Sequence, residues 1–129
     1  MMSEIKSMRK RDRIRRKLRQ LTETDILKAM RDTLDGGYEL FKRKLGDYGI
    51  DVFKVSGGIG IIIKIREKYA RFHNLMMKAD DPSCESIRDT VQDLAWYAAT
   101  LLSMIDKEVV DIDELREQYR LTFGDEDER

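Results

Sequence analysis

The sequence predicts an all-α fold, a helical bundle of four to five helices, and three observations carry that prediction. Apolar residues recur at helical spacing through the long segments of the chain. Helix-capping residues stand where those segments begin: Thr22-x-x-Asp25 has the form of a capping box with Asp in place of the usual Glu, and Ser83 precedes another amphipathic run. Pro82 is the single proline, so the breaks fall to glycines and caps.

Taken in order, residues 5–19 read as a helix that is polar on nearly all sides. Thr22 opens the next helix, whose apolar stripe is Ile26, Met30, Leu34, Phe41 and Leu45. Gly36-Gly37 inside it predicts a kink, a break or a close helix crossing, and Gly46-Asp47-Tyr48-Gly49 ends it. Residues 50–58 read as a partly ordered connection. The run Ile59 to Ile65 is β-branched enough for a strand, yet Tyr69, Phe72 and Met76 continue its pattern at helical spacing, so a helix is expected over 59–77. Asp80-Asp81-Pro82-Ser83 is a turn, Ser83 caps a helix over 84–105, and Asp111 or Asp113 starts a short last helix with a frayed acidic tail after Phe123. The implied division is a basic helical arm over 1–21, a helical core domain over 22–110, and a short helix with an acidic tail over 111–129.

Composition narrows the function classes. The 129 residues suit one modest core, and 41% apolar against 39% charged residues leaves that core thin. Some helix faces are therefore expected to be completed by another copy of the chain. No apolar run is long enough for a membrane, and the basic N-terminal stretch is not followed by the apolar segment of a signal peptide. Cys84 is the only cysteine, which fits a cytoplasmic location, and with His73 as the only histidine a Cys/His zinc site is disfavoured. A metal, if bound, would be held by oxygen, which favours Mg²⁺ or Mn²⁺. The zero net charge conceals nine basic residues and one acid, Asp12, between Lys6 and Arg19. Without interleaved aromatics this segment fits a solvated arm better than a nucleic-acid surface.

Two helix faces carry candidate chemistry. Glu85, Asp89 and Asp93 are spaced i, i+4, i+8 and advance about 40° per step, so they form one acidic stripe. A divalent cation would relieve their mutual repulsion, whereas a solvated face eased by Arg88 or Arg66 is the plain alternative. Trp96 lies about 20° from the stripe and wants cover, which argues against simple exposure. Ile87, Val91, Leu94, Ala98, Leu101 and Ile105 supply the expected core stripe. On the preceding helix, Lys64, Glu67, Lys68, Arg71 and Asn74 share a face that suits phosphate, with Glu67 as a further carboxylate or as one member of ordinary ion pairs. Ser56-Gly57-Gly58-Ile59-Gly60 lacks the Gly-Lys-Ser/Thr of a P-loop and reads as a flexible helix entry.

Three segments together resemble a known family. Lys44-x-x-Asp47-Tyr48-Gly49, Ile63-Lys64-Ile65-x-x-Lys68-x-x-Arg71-x-x-Asn74-Leu75 and Glu85-Ser86-Ile87-x-Asp89-Thr90-x-x-Asp93-Leu94-Ala95-x-Tyr97-Ala98 resemble the phage and bacterial nucleotide modification associated domain, over about residues 24–105. That group resembles the MazG-like all-α NTP pyrophosphohydrolases. The resemblance implies a helical bundle, assembled as a homodimer or homotetramer, that hydrolyses a (deoxy)nucleoside triphosphate to monophosphate and pyrophosphate with Mg²⁺ or Mn²⁺, acting on nucleotide pools, in a bacterium or a phage-infected cell. It implies Glu67, Glu85, Asp89 and Asp93 as metal ligands, with Glu67, Asp89 and Asp93 catalytic. Lys44, Asp47, Tyr48, Lys64, Lys68, Arg71 and Asn74 would bind the nucleotide. The chain departs from the pattern twice: Thr90 stands three residues before Asp93, where the family has Glu, and only Glu67 remains of the E-E-x-x-E element. Those departures leave a second expectation open, a non-catalytic nucleotide binder acting as a sponge or as an accessory subunit of a nucleotide-modifying enzyme. A third is a nucleic-acid-binding scaffold that uses the basic arm.

Overall fold

A computed structural model describes the backbone of residues 2–78 and 84–127, and the side chains of 9–47, 49–51, 53–78 and 86–124. The described residues form five helices and no strand: α1 (Met2–Gln20), α2 (Glu23–Tyr48), α3 (Asp51–Met77), α4 (Cys84–Asp106) and α5 (Ile112–Asp127). The all-α expectation is met. The turn at 80–83 and the Ser83 cap lie outside the described residues. The chain divides into two compact units, Met1–Glu39 and Leu40–Arg129.

In the first unit, α1 is basic and exposed over residues 9–20. The capping box forms as read: Thr22 N–H donates to Asp25 Oδ2 at 3.3 Å, and Asp25 N–H donates to Thr22 Oγ1 at 3.1 Å. These bonds satisfy amide donors that a helix start leaves without partners. Helix α2 runs unbroken through Gly36-Gly37, so no break forms there; Gly36 is exposed with open space around it, whereas Gly37 is buried.

The second unit starts within α2, which ends where Gly46-Asp47-Tyr48-Gly49 predicts. Gly49 adopts φ 80° and its N–H donates to Leu45 O at 2.8 Å, the left-handed cap that glycine accepts without a Cβ penalty. Residues 50–58 are more ordered than expected. Helical turns begin at Asp51 and are interrupted by Gly57 (φ 61°, ψ −156°), a backbone state open essentially to glycine alone. The helix from Gly58 to Met77 confirms the helical reading of the Ile59–Ile65 run.

Helices α3 and α4 pack antiparallel: Lys68 meets Asp93, while Gly58 near the other end of α3 meets Val110 just past α4. The turn after α4 is a Schellman cap in which Val109 N–H donates to Met104 O and Glu108 N–H to Ile105 O, both at 3.0 Å. Glu108 takes the left-handed position at φ 59°. Asp111, not Asp113, then caps α5, accepting from Asp113 N–H at 2.9 Å. Helix α5 is anchored to α3 through Arg66, which lies 3.9 Å from the Phe123 ring centroid and donates to Tyr119 Oη at 3.1 Å. It continues to Asp127, where a frayed tail was expected after Phe123.

The core is thin, as the composition suggests. Among the described residues Ile61 is the one large apolar side chain that is fully enclosed, at 1% exposure. The buried face of α4 is rotated from the expected stripe: Thr90 is enclosed at 2% exposure, whereas Val91 and Ala98 are exposed. Thr90 tolerates burial because its hydroxyl donates to Ser86 O at 2.8 Å, so no polar atom is stranded.

Candidate functional site

A cavity of about 670 Å³ opens in the second unit between the end of α2, residues 53–68 of α3 and the middle of α4. Each helix supplies both an apolar and a charged group. From α2 come Phe41 and Lys44, from α3 Ile61, Lys64 and Lys68, and from α4 Asp93 and Trp96. Phe41 stacks on Trp96 with ring centroids 5.8 Å apart and planes 15° from parallel. The cover that Trp96 was expected to need therefore comes from Phe41.

The charged groups meet at Asp93. Its Oδ2 lies 2.9 Å from Lys68 Nζ and its Oδ1 3.9 Å from Lys44 Nζ, so one carboxylate holds two ammonium groups. Lys64 lines the same cavity and reaches Glu67 at 3.4 Å. Three lysines and one aspartate thus give the lining a positive balance over apolar and aromatic walls. Such a surface suits a ligand with an anionic end and a flat apolar end.

Of the expected site residues, the fold brings Lys44, Lys64, Lys68 and Asp93 together. Asp47, Arg71 and Asn74 are exposed and do not line this cavity. Asp89 is exposed, 4.0 Å from Arg88, and Glu67 is exposed beside Lys64. The side chains of Glu85 and Tyr48 lie outside the described residues. The acidic stripe is thereby divided by its surroundings. Asp93 turns to the lysines, while Asp89, four residues earlier, stands in solvent.

Both oxygens of Asp93 face lysines, and no group of three metal-ligating side chains occurs among the described residues. The departure at Thr90 has a physical consequence here. Moving a carboxylate one position along a helix turns it about 100°, so the acid at Asp89 leaves the buried face that Thr90 occupies.

Sequence reasoning placed Phe41 in an apolar stripe and did not assign Tyr97, Phe53 or Leu40 to a site, although all four line the cavity. Trp96 gave the one usable signal, a large aromatic beside charged positions. No family model, curated protein or solved structure matches the chain. The family resemblance therefore rests on the three quoted segments alone. Fold and cavity define a class, an all-helical protein with an aromatic cavity rimmed by lysines.

Proposed function

We propose that this protein binds a nucleoside triphosphate in the cavity, with the phosphates on Lys44, Lys64 and Lys68 and the base against the Phe41–Trp96 pair. One observation carries the reading: two lysines converge on a single carboxylate in the wall of an aromatic cavity of about 670 Å³. That volume falls within the range of small-molecule sites, roughly 300–1,000 Å³. Asp93 acts as a resident anion that holds both ammonium groups in position until a phosphate replaces it. Binding of this kind needs no cation, which favours the non-catalytic binder.

Pyrophosphohydrolysis is the second reading. It is supported by Asp93, which lines the same cavity and matches the acid that ends the family's E-x-x-D element. Isothermal titration with a panel of nucleoside triphosphates, in EDTA and in Mn²⁺, combined with a pyrophosphate assay, separates the two. The binder predicts affinity that survives EDTA and rises several-fold in Asp93→Asn, because removal of the carboxylate frees two cations. Pyrophosphate release that is lost in EDTA and in Asp93→Asn would establish the hydrolase instead. Absence of binding to every nucleotide would remove both.

Self-association as a homodimer or homotetramer belongs to the same proposal. Its support is the exposed apolar stripe of Ile26, Leu27, Met30 and Leu34 in the first unit, each at least 40% exposed. Light scattering that returns the mass of one chain, 15.2 kDa, at micromolar concentration would refute it.

A further inference from the structure

Helix α1 takes no part in the cavity, and its chemistry points elsewhere. Residues 9–20 contain eight basic side chains, one acid and two apolar residues, Ile14 and Leu18. All twelve residues are exposed, and among the described residues none of the eight cations has an acidic partner within an ion-pair distance. At about 100° per residue, Arg9, Arg13 and Arg16 cluster on one side, Arg11, Arg15 and Arg19 cluster about 130° further round, and Lys10 and Lys17 flank Arg13 on its other side. Ile14 and Leu18 interrupt this belt with a narrow ridge.

Like charges three and four residues apart oppose the helix that carries them. The repulsion is relieved by a polyanion. From Arg9 to Arg19 the helix rises about 15 Å, and a nucleic-acid duplex presents roughly nine phosphate charges over that axial length. Eight cations against about nine anions is a close match in linear charge density. Six of the eight are arginines, whose planar forks suit phosphate oxygens. A membrane surface fits less well, because a two-residue ridge gives the helix little apolar face to bury. The absence of aromatics argues against base stacking on single strands but leaves phosphate contact with a duplex untouched.

From these features we infer that α1 is a sequence-independent binding element for duplex nucleic acid, separate from the cavity. The test uses the full chain and fluorescence anisotropy with a labelled 24-base-pair DNA of random sequence, a duplex RNA, and a single strand of equal length. Vesicles of phosphatidylserine and phosphatidylcholine form a parallel arm. Four or five phosphate contacts predict a slope of log affinity on log salt of about −4, a loss of roughly 250-fold between 50 and 200 mM salt. The triple variant Arg13→Glu, Arg15→Glu, Arg16→Glu should lose at least about a hundredfold in duplex affinity at low salt. The matching Arg→Gln variant should show an intermediate loss and a slope shallower by roughly three. Circular dichroism of both variants checks that helix content is kept, and loss of duplex binding in the folded Gln variant alone still supports the inference. Failure to bind either duplex at 50 mM salt, unchanged binding in both variants, tighter binding to the single strand, or binding confined to vesicles would each overturn it.

Discussion

Replacing Lys44 and Lys68 together by alanine lowers nucleoside triphosphate affinity by roughly a hundredfold, the largest effect expected from changes confined to the cavity rim. A hydrogen bond to a charged group contributes about 1.5–3 kcal/mol when both partners are present, and about 1.4 kcal/mol corresponds to tenfold in affinity. Lys44 is about half exposed and Lys68 about a third, which places each near the low end of that range. Lys68→Ala alone should therefore cost about tenfold. Loss of Lys44 as well brings the total to roughly a hundredfold, to which Asp93, left in the cavity wall without either ammonium, contributes by repelling the incoming phosphates. Stability should change little, since partly exposed ion pairs contribute about 0–1 kcal/mol. Titration calorimetry in EDTA, with urea unfolding as the control, reads both quantities. A double variant that binds within threefold of the wild type would mean that phosphate sits elsewhere, and the proposed site would be wrong.

Local features of the fold were legible in the sequence because their physics is local. The capping box at Thr22 and Asp25 involves residues three apart, and both of its hydrogen bonds form. Gly49 ends α2 because its left-handed backbone is accessible to glycine, a property of one residue. The Ile59–Ile65 run was resolved as helix because its period continues for a further dozen residues. The short helical piece before Gly57 was missed, since a glycine-rich stretch reads as a connection even where one glycine alone carries the break.

The site was legible only by half. Periodicity assigns residues to a face but does not say what that face meets. Glu67, Asp89 and Asp93 look equivalent as acids, yet each has a different neighbour: Lys64, Arg88, and the Lys44–Lys68 pair. The stacking of Phe41 on Trp96 joins positions 55 residues apart, beyond the reach of any pattern within one helix. The same limit explains the rotation of α4. Val91 outranks Thr90 as a core residue on polarity, but a threonine that bonds back to its own helix can be buried, and here Thr90 is the enclosed one.

Truncating Ile61 to alanine is expected to cost about 2–5 kcal/mol, the largest stability effect in the molecule. The side chain is 1% exposed and also lines the cavity. Whole domains are stable by only about 5–15 kcal/mol, so with so few side chains enclosed among the described residues there is little margin against this loss. Urea unfolding should show a lower midpoint with an unchanged slope, because the surface exposed on unfolding barely differs. A bound nucleotide offers a second reading of the same residue. Ligand at about a hundred times its dissociation constant stabilises the native state by roughly 2.7 kcal/mol, and the variant should recover less than this because its cavity wall is deformed. A midpoint that drops while ligand rescue stays complete would confine Ile61 to the core and detach it from the site. A cost below about 1 kcal/mol would mean that the stabilising contacts of this unit lie elsewhere than at this enclosed side chain.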